Sequence, residues 1–145
     1  MNKKKKNNNI FEKIIRNEIF SYKVAENTDH LAFLDIHPIK IGHTLVIPKK
    51  NHTDKIFYLT EKKFLSLMSF VRKVAMGIEK TVPCNRVGLF VLGFEIPHVH
   101  IHLIPMDKES DVDFSKEKIT LSEKKFEILS KNIKKSIERE CNKNH

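Results

Sequence analysis

A chain of 145 residues with 40% hydrophobic content is long enough for one domain with a real core and too short for two. Its net charge of +9 comes from lysines spread along the whole length beside heavy Asn and Ile use, the bias of an AT-rich genome, and without interleaved aromatic residues no nucleic-acid partner is expected. No apolar run nears the roughly 18 residues of a membrane span, no signal-peptide pattern is visible, and Cys84 and Cys141 show no paired spacing, so a cytoplasmic protein with no membrane partner is expected.

Residues 1–9 are basic, then polar, and read as a disordered tail. Ile10 to Ile19 carries apolar residues at the spacing of a short amphipathic helix. Strand-like runs follow at Tyr22–Glu26, Leu31–Asp35 and Thr44–Ile47. Thr60 reads as an N-cap with Glu61 in the first turn. Behind it Phe64, Leu67, Met68, Val71, Ala75 and Ile78 recur at helical spacing, and Val82-Pro83 stops the helix beyond Lys80. Val87–Leu92 and Val99–Ile104 supply two more strands. Residues 107–120 are acidic and mixed and read as a loop, and Ser122 caps a last helix with a stripe of Phe126, Leu129, Ile133 and Ile137. That order of helices and strands predicts an α+β domain, divided as tail 1–9, main domain 10–106, and loop plus C-terminal helix 107–145.

The segment Pro97-His98-Val99-His100-Ile101-His102-Leu103-Ile104-Pro105 alternates histidine with aliphatic residues. Period two puts Val99, Ile101 and Leu103 on a core face and three imidazoles on the other. His98 and His102 would lie about 13 Å apart, too far to share one ion held at about 2 Å, so no metal is expected. The reading that remains makes His100 the reactive group, with His98 and His102 orienting it or holding substrate. A neutral imidazole becomes a nucleophile when one nitrogen is fixed as a donor, and phosphorus is an electrophile that suits it.

These residues resemble the signature of the histidine triad (HIT) family, His-φ-His-φ-His-φ-φ with φ apolar. Two further blocks are similar to that family: Leu31 to Pro38 followed by Gly42 to Lys49, and Ile10 to Ile19, which looks like the opening of the branch containing adenosine phosphoramidases. Together they cover roughly residues 10–106. The resemblance implies a five-stranded antiparallel sheet, commonly a homodimer, and a nucleotide hydrolase or nucleotidyl transferase acting on an α-phosphate without a cofactor. It implies a nucleotidyl-histidine at His100, flanked by His98 and His102 with His102 near the leaving group, and His43 as a fourth, supporting histidine. Ile10, Phe11, Ile14, Phe33 and Ile36 match the base pocket, and Asp35 matches the carboxylate that accepts from the ribose hydroxyls. The partner expected is a purine nucleotide or nucleotide conjugate.

One departure stands just before the triad. Gly93 keeps the family glycine, but Phe94 and Glu95 replace a glutamine and a hydroxyl residue near the phosphate. A glutamate there repels phosphate unless a cation or proton intervenes. It leaves open a nucleotide-binding module with little turnover, a dinucleoside polyphosphate hydrolase, or Glu95 serving as an acid or base. Plainer readings stand beside these: His43 as a capped strand start, Asp35 as a turn residue before Pro38, and the apolar pocket residues as ordinary core. His30, His37, His52 and His145 read as surface residues.

Overall fold

A computed structural model of the chain describes residues 9–50 and 52–143. Residues 1–8 of the basic stretch, and His145, lie outside the described residues. Asn9 is described and is not tail: its side chain accepts from the Glu12 N–H at 2.9 Å and caps the first helix, α1 (Ile10–Ile15). That helix is shorter than its apolar spacing predicts. Asn17 takes a left-handed φ of +60° just beyond it, which ends the helical ladder before Ile19.

Five strands follow, β1 (Lys23–Glu26), β2 (His30–Leu34), β3 (Thr44–Pro48), β4 (Arg86–Phe90) and β5 (Ile101–Met106). Two long helices separate and close them, α2 (Glu61–Thr81) between β3 and β4 and α3 (Glu123–Lys143) after β5. The strands form one antiparallel sheet in the order β1-β2-β3-β5-β4. The expected α+β fold with an added C-terminal helix is therefore present.

Alternation divides the sheet into two chemically different faces. Ala32 and Leu34 of β2, Val46 of β3, and Ile101 and Leu103 of β5 pack with α2 and α3 in the larger core. Thr60 caps α2 by accepting from the Lys63 N–H at 3.3 Å, and Ser122 caps α3 by accepting from the Lys125 N–H at 3.2 Å. The helices meet closely at Gly77, where an added Cβ would stand 2.3 Å from Ile137 Cγ1. Leu31 and Phe33 of β2 and Leu45 and Ile47 of β3 point to the opposite face. There Phe11 and Ile14 of α1 cover them as a second, smaller cluster. The first face is the stabilising core, and the second carries the site.

His30 is a correction to the reading of it as a surface residue. It opens β2 with only 5% of its surface exposed, its ring 5.1 Å from that of Phe70. No periodic pattern marks it, because its burial comes from α2 crossing over the strand. His37 and His52 are exposed.

Candidate active site

The triad strand begins two residues later than its sequence pattern predicts. The β3–β5 ladder stops at Val46 opposite Ile101. Beyond that point the His98 side chain takes over, its Nε2–H donating to the Pro48 carbonyl at 2.9 Å in place of a main-chain bond. The alternation survives the change. Val99, Ile101 and Leu103 remain in the helix-side core, and His102 stands opposite Leu45 on the other face.

Protonation of the histidines follows from their backbone partners. A carbonyl only accepts, so the 2.7 Å contact from His100 Nδ1 to the His98 carbonyl puts the proton on Nδ1. Held this way, the ring in its neutral form has its unshared pair on Nε2. A backbone N–H only donates, so the Ile39 N–H bonded to His43 Nδ1 at 3.1 Å puts the His43 proton on Nε2. That proton points to His102 Nδ1 at 2.9 Å, which leaves His102 with its own proton on Nε2. Burial, with the neighbouring histidines adding to it, pushes His43 down to about 3 and His102 to about 4, so both are neutral at pH 7. Burial also lowers His98.

Gly42 is what allows His43 to sit there. Its φ of +96° belongs to glycine, and a Cβ at that position would meet Val82 at 2.9 Å. Asp35, just after β2, accepts from the His37 N–H at 2.9 Å and stands 3.6 Å from His43 Nε2. With His43 neutral, this is a carboxyl beside an imidazole N–H and not an ion pair. Burial raises the Asp35 carboxyl, against the pull of the His37 N–H.

Asp35, His43 and His102 also bring three ligand-type atoms within 4.8 Å of one another. Sequence spacing along one strand did not reveal that trio. The 2.9 Å separation between the two ring nitrogens is that of a shared proton. Two nitrogens on one tetrahedral ion stand about 3.3 Å apart, so a metal would have to displace that proton and widen the pair.

A cavity of about 530 Å³ opens on this face. His43, His100 and His102 line it together with Asp35, Ile10, Phe11, Ile14, Phe33, Ile36, Gly93 and Glu95. His98 does not line it. That ring is fully buried behind the wall, 5.7 Å from the Phe11 ring centre, while Phe11 also packs edge-on against His100 at 5.0 Å. Phe94, 93% exposed, stands at the rim. Phe114 and Lys118 line the cavity as well, from the segment read as a plain loop. Neither has a neighbour pattern that could single it out in the sequence, because the chain after β5 returns to the site without regular structure.

Comparison with known proteins agrees with this geometry. The HIT domain model matches residues 16–109. An uncharacterized HIT-like protein of Borreliella burgdorferi is 35% identical over 136 residues, covering 88% of this chain and 97% of that one. The adenosine 5'-monophosphoramidase of Schizosaccharomyces pombe is 39% identical over 102 residues, 69% of this chain and 75% of its own. A crystal structure of a Hit-like protein involved in cell-cycle regulation from Bartonella henselae superposes with a TM-score of 0.76 at 31% identity, covering 90% of this chain and 97% of that one. Matched in sequence over most of its length and in fold over nearly all of it, the chain belongs to the histidine triad (HIT) family.

Proposed function

We propose that the protein is a nucleotide hydrolase or nucleotidyl transferase that works on nucleoside phosphoramidates through a covalent intermediate on His100. The observation that carries this reading is the His100 Nδ1–H bond to the His98 carbonyl, which leaves Nε2 as a free nucleophile at the cavity. In the first step Nε2 attacks the α-phosphorus and the bond from phosphorus to the leaving amine breaks. The positive charge that develops on the imidazole is stabilised by the same carbonyl. His102 Nε2–H gives its proton to the departing nitrogen and Nε2 regains one from solvent, while the His43 Nε2–H bond to His102 Nδ1 at 2.9 Å holds that ring in place. Water then attacks the phosphorus, the bond to His100 breaks, and the mononucleotide leaves as the attacking water's proton passes to solvent.

Binding is assigned to the rest of the cavity. Ile10, Phe11, Ile14, Phe33 and Ile36 offer an apolar slot for a purine, and the half-buried Asp35 offers acceptors to the ribose hydroxyls. Gly93 brings main chain to the rim, and Glu95 stands where a cationic or amine leaving group would be welcome. Relatives named as adenosine 5'-monophosphoramidases support an adenosine substrate. The homodimer belongs to the same proposal, with the open β4 edge as the joining surface, since β4 pairs only with β5 among the described residues.

The test is AMP release from adenosine 5'-phosphoramidate. Wild type should turn over, and His100→Ala should lose activity by at least about 10⁴-fold while keeping its far-UV spectrum. Activity of the variant near the wild-type level would remove His100 from the mechanism. A second reading, a binding module with little turnover, is favoured by Glu95 and the exposed Phe94 at the rim. Wild type that binds AMP without releasing it from the phosphoramidate would favour that reading.

A further inference from the structure

The cavity holds an excess of acidic groups for a ligand that is itself an anion. Among the described residues lining it, Asp35 and Glu95 are carboxylic acids, His43 and His102 are held neutral, and Lys118 is the one lysine or arginine. A phosphate placed among those acids in a partly buried cleft is repelled unless a cation stands beside it.

Lys118 is held in place for such a role. Its ammonium donates to the Phe114 carbonyl at 2.7 Å and to the Lys116 carbonyl at 3.1 Å. Two of its three N–H donors thus pin the group, and the third remains for a ligand. The segment that carries it is tied to the site at two points. The Ile119 N–H donates to the Pro38 carbonyl at 2.9 Å, and the Phe114 ring packs edge-on against His102 at 5.2 Å. The charge of Lys118 reaches both Asp35 and His43, so it stands near the carboxyl assigned to ribose and the histidine that holds His102 in place. Phe114, Lys118 and Ile119 all lie past residue 109, where the family match ends.

We propose that Lys118 is the residue that neutralises the ligand's phosphate, supplied by the return of the chain after β5 and not by the loop before the triad. The inference rests on the reading of the ligand as a nucleotide. It places a fixed positive charge against the non-bridging oxygens of the α-phosphate, where charge also accumulates as His100 attacks.

The experiment is a titration of AMP and of adenosine into the full chain, as wild type, Lys118→Met and Lys118→Arg. The pair of ligands differs only in the phosphate. In Lys118→Met the AMP dissociation constant should rise about 10- to 100-fold, the size of one charge-assisted hydrogen bond, while adenosine stays within about twofold. Lys118→Arg should recover most of the AMP affinity, and kcat/KM for adenosine 5'-phosphoramidate should fall in Lys118→Met in step with it. An unchanged AMP constant in Lys118→Met overturns the proposal. Equal weakening of AMP and adenosine, with no rescue by arginine, overturns it too, because that is the result of a merely structural lysine. The nucleotide reading has its own signature of failure, in wild type alone: AMP bound no more tightly than adenosine would sink that reading and Lys118 with it. Wild type that binds AMP tightly and hydrolyses nothing, with AMP binding lost in Lys118→Met, would sustain Lys118 and remove the hydrolase.

Discussion

One backbone carbonyl and one backbone N–H set the proton positions of the three histidines that line the cavity. The His98 carbonyl fixes His100, and the Ile39 N–H fixes His43 and, through it, His102. The alternation of the triad was plain in the sequence, since period two is a local property of neighbouring residues. The tautomers were not, because Ile39 and His102 are brought together only by the turn through Gly42 and the β3–β5 pairing. Nor could spacing separate His98 from the other two, although its ring ends up behind the cavity wall as a buried brace. At this scale the ribose assignment can be checked directly. Asp35→Asn removes a charged acceptor from the half-buried cavity and should weaken AMP binding by about 10-fold or more with a smaller effect on kcat. The loss should nearly vanish for 2',3'-dideoxy-AMP, which has no hydroxyls to donate. Equal losses for both nucleotides would show that Asp35 does not read the ribose.

The elements explain why the site sits on one face of the sheet. Helices α2 and α3 cover the face bearing Ala32, Leu34, Val46 and Leu103, so only the short α1 is left to cover the other. Six residues of helix cover little, and the uncovered remainder is the cavity. The long helices were readable from their stripes and caps, which are strong periodic signals. The end of α1 was not, since Ile19 fits the helical spacing while Asn17 breaks the backbone. Residues 107–120 were read as a loop and are mostly irregular, yet their position over His102 depends on a contact with Pro38 that no local pattern encodes. Among the described residues β4 is paired on one side only, and its Leu89 is 44% exposed, which is also an element-scale feature. Light scattering should give a mass about twice the 17.0 kDa chain, and Leu89→Glu should shift it toward the monomer. A wild-type mass of one chain would count against pairing through β4.

For the whole molecule, the buried histidines link stability to pH. His30, His43, His98 and His102 are all held below the usual imidazole range, chiefly by burial. His30 has in addition a buried Nδ1 without a hydrogen-bond partner among the described residues. A depressed folded pKa means that the unfolded chain binds protons first as pH falls. The histidine contribution is therefore complete above about pH 6.5 and is lost progressively toward the values near 4 and 3 of His102 and His43. Asp35 has the opposite sign: its raised carboxyl favours the folded state at acid pH and costs stability once it ionises. Four groups oppose one, so the urea midpoint should fall between pH 7 and pH 4.5, and a flat or rising midpoint would contradict the burial of these rings. Along the chain, the described residues contain no helix long and apolar enough to cross a membrane.

The central claim is that His100 carries the nucleotide between two displacement steps. Intact-protein mass spectrometry after a rapid quench without acid, with adenosine 5'-phosphoramidate as substrate, tests it most directly. Wild type should gain the mass of one adenylyl group and His100→Ala should not. Release of AMP by wild type with no adduct at any quench time, or the same adduct on the variant, would contradict a covalent intermediate on His100.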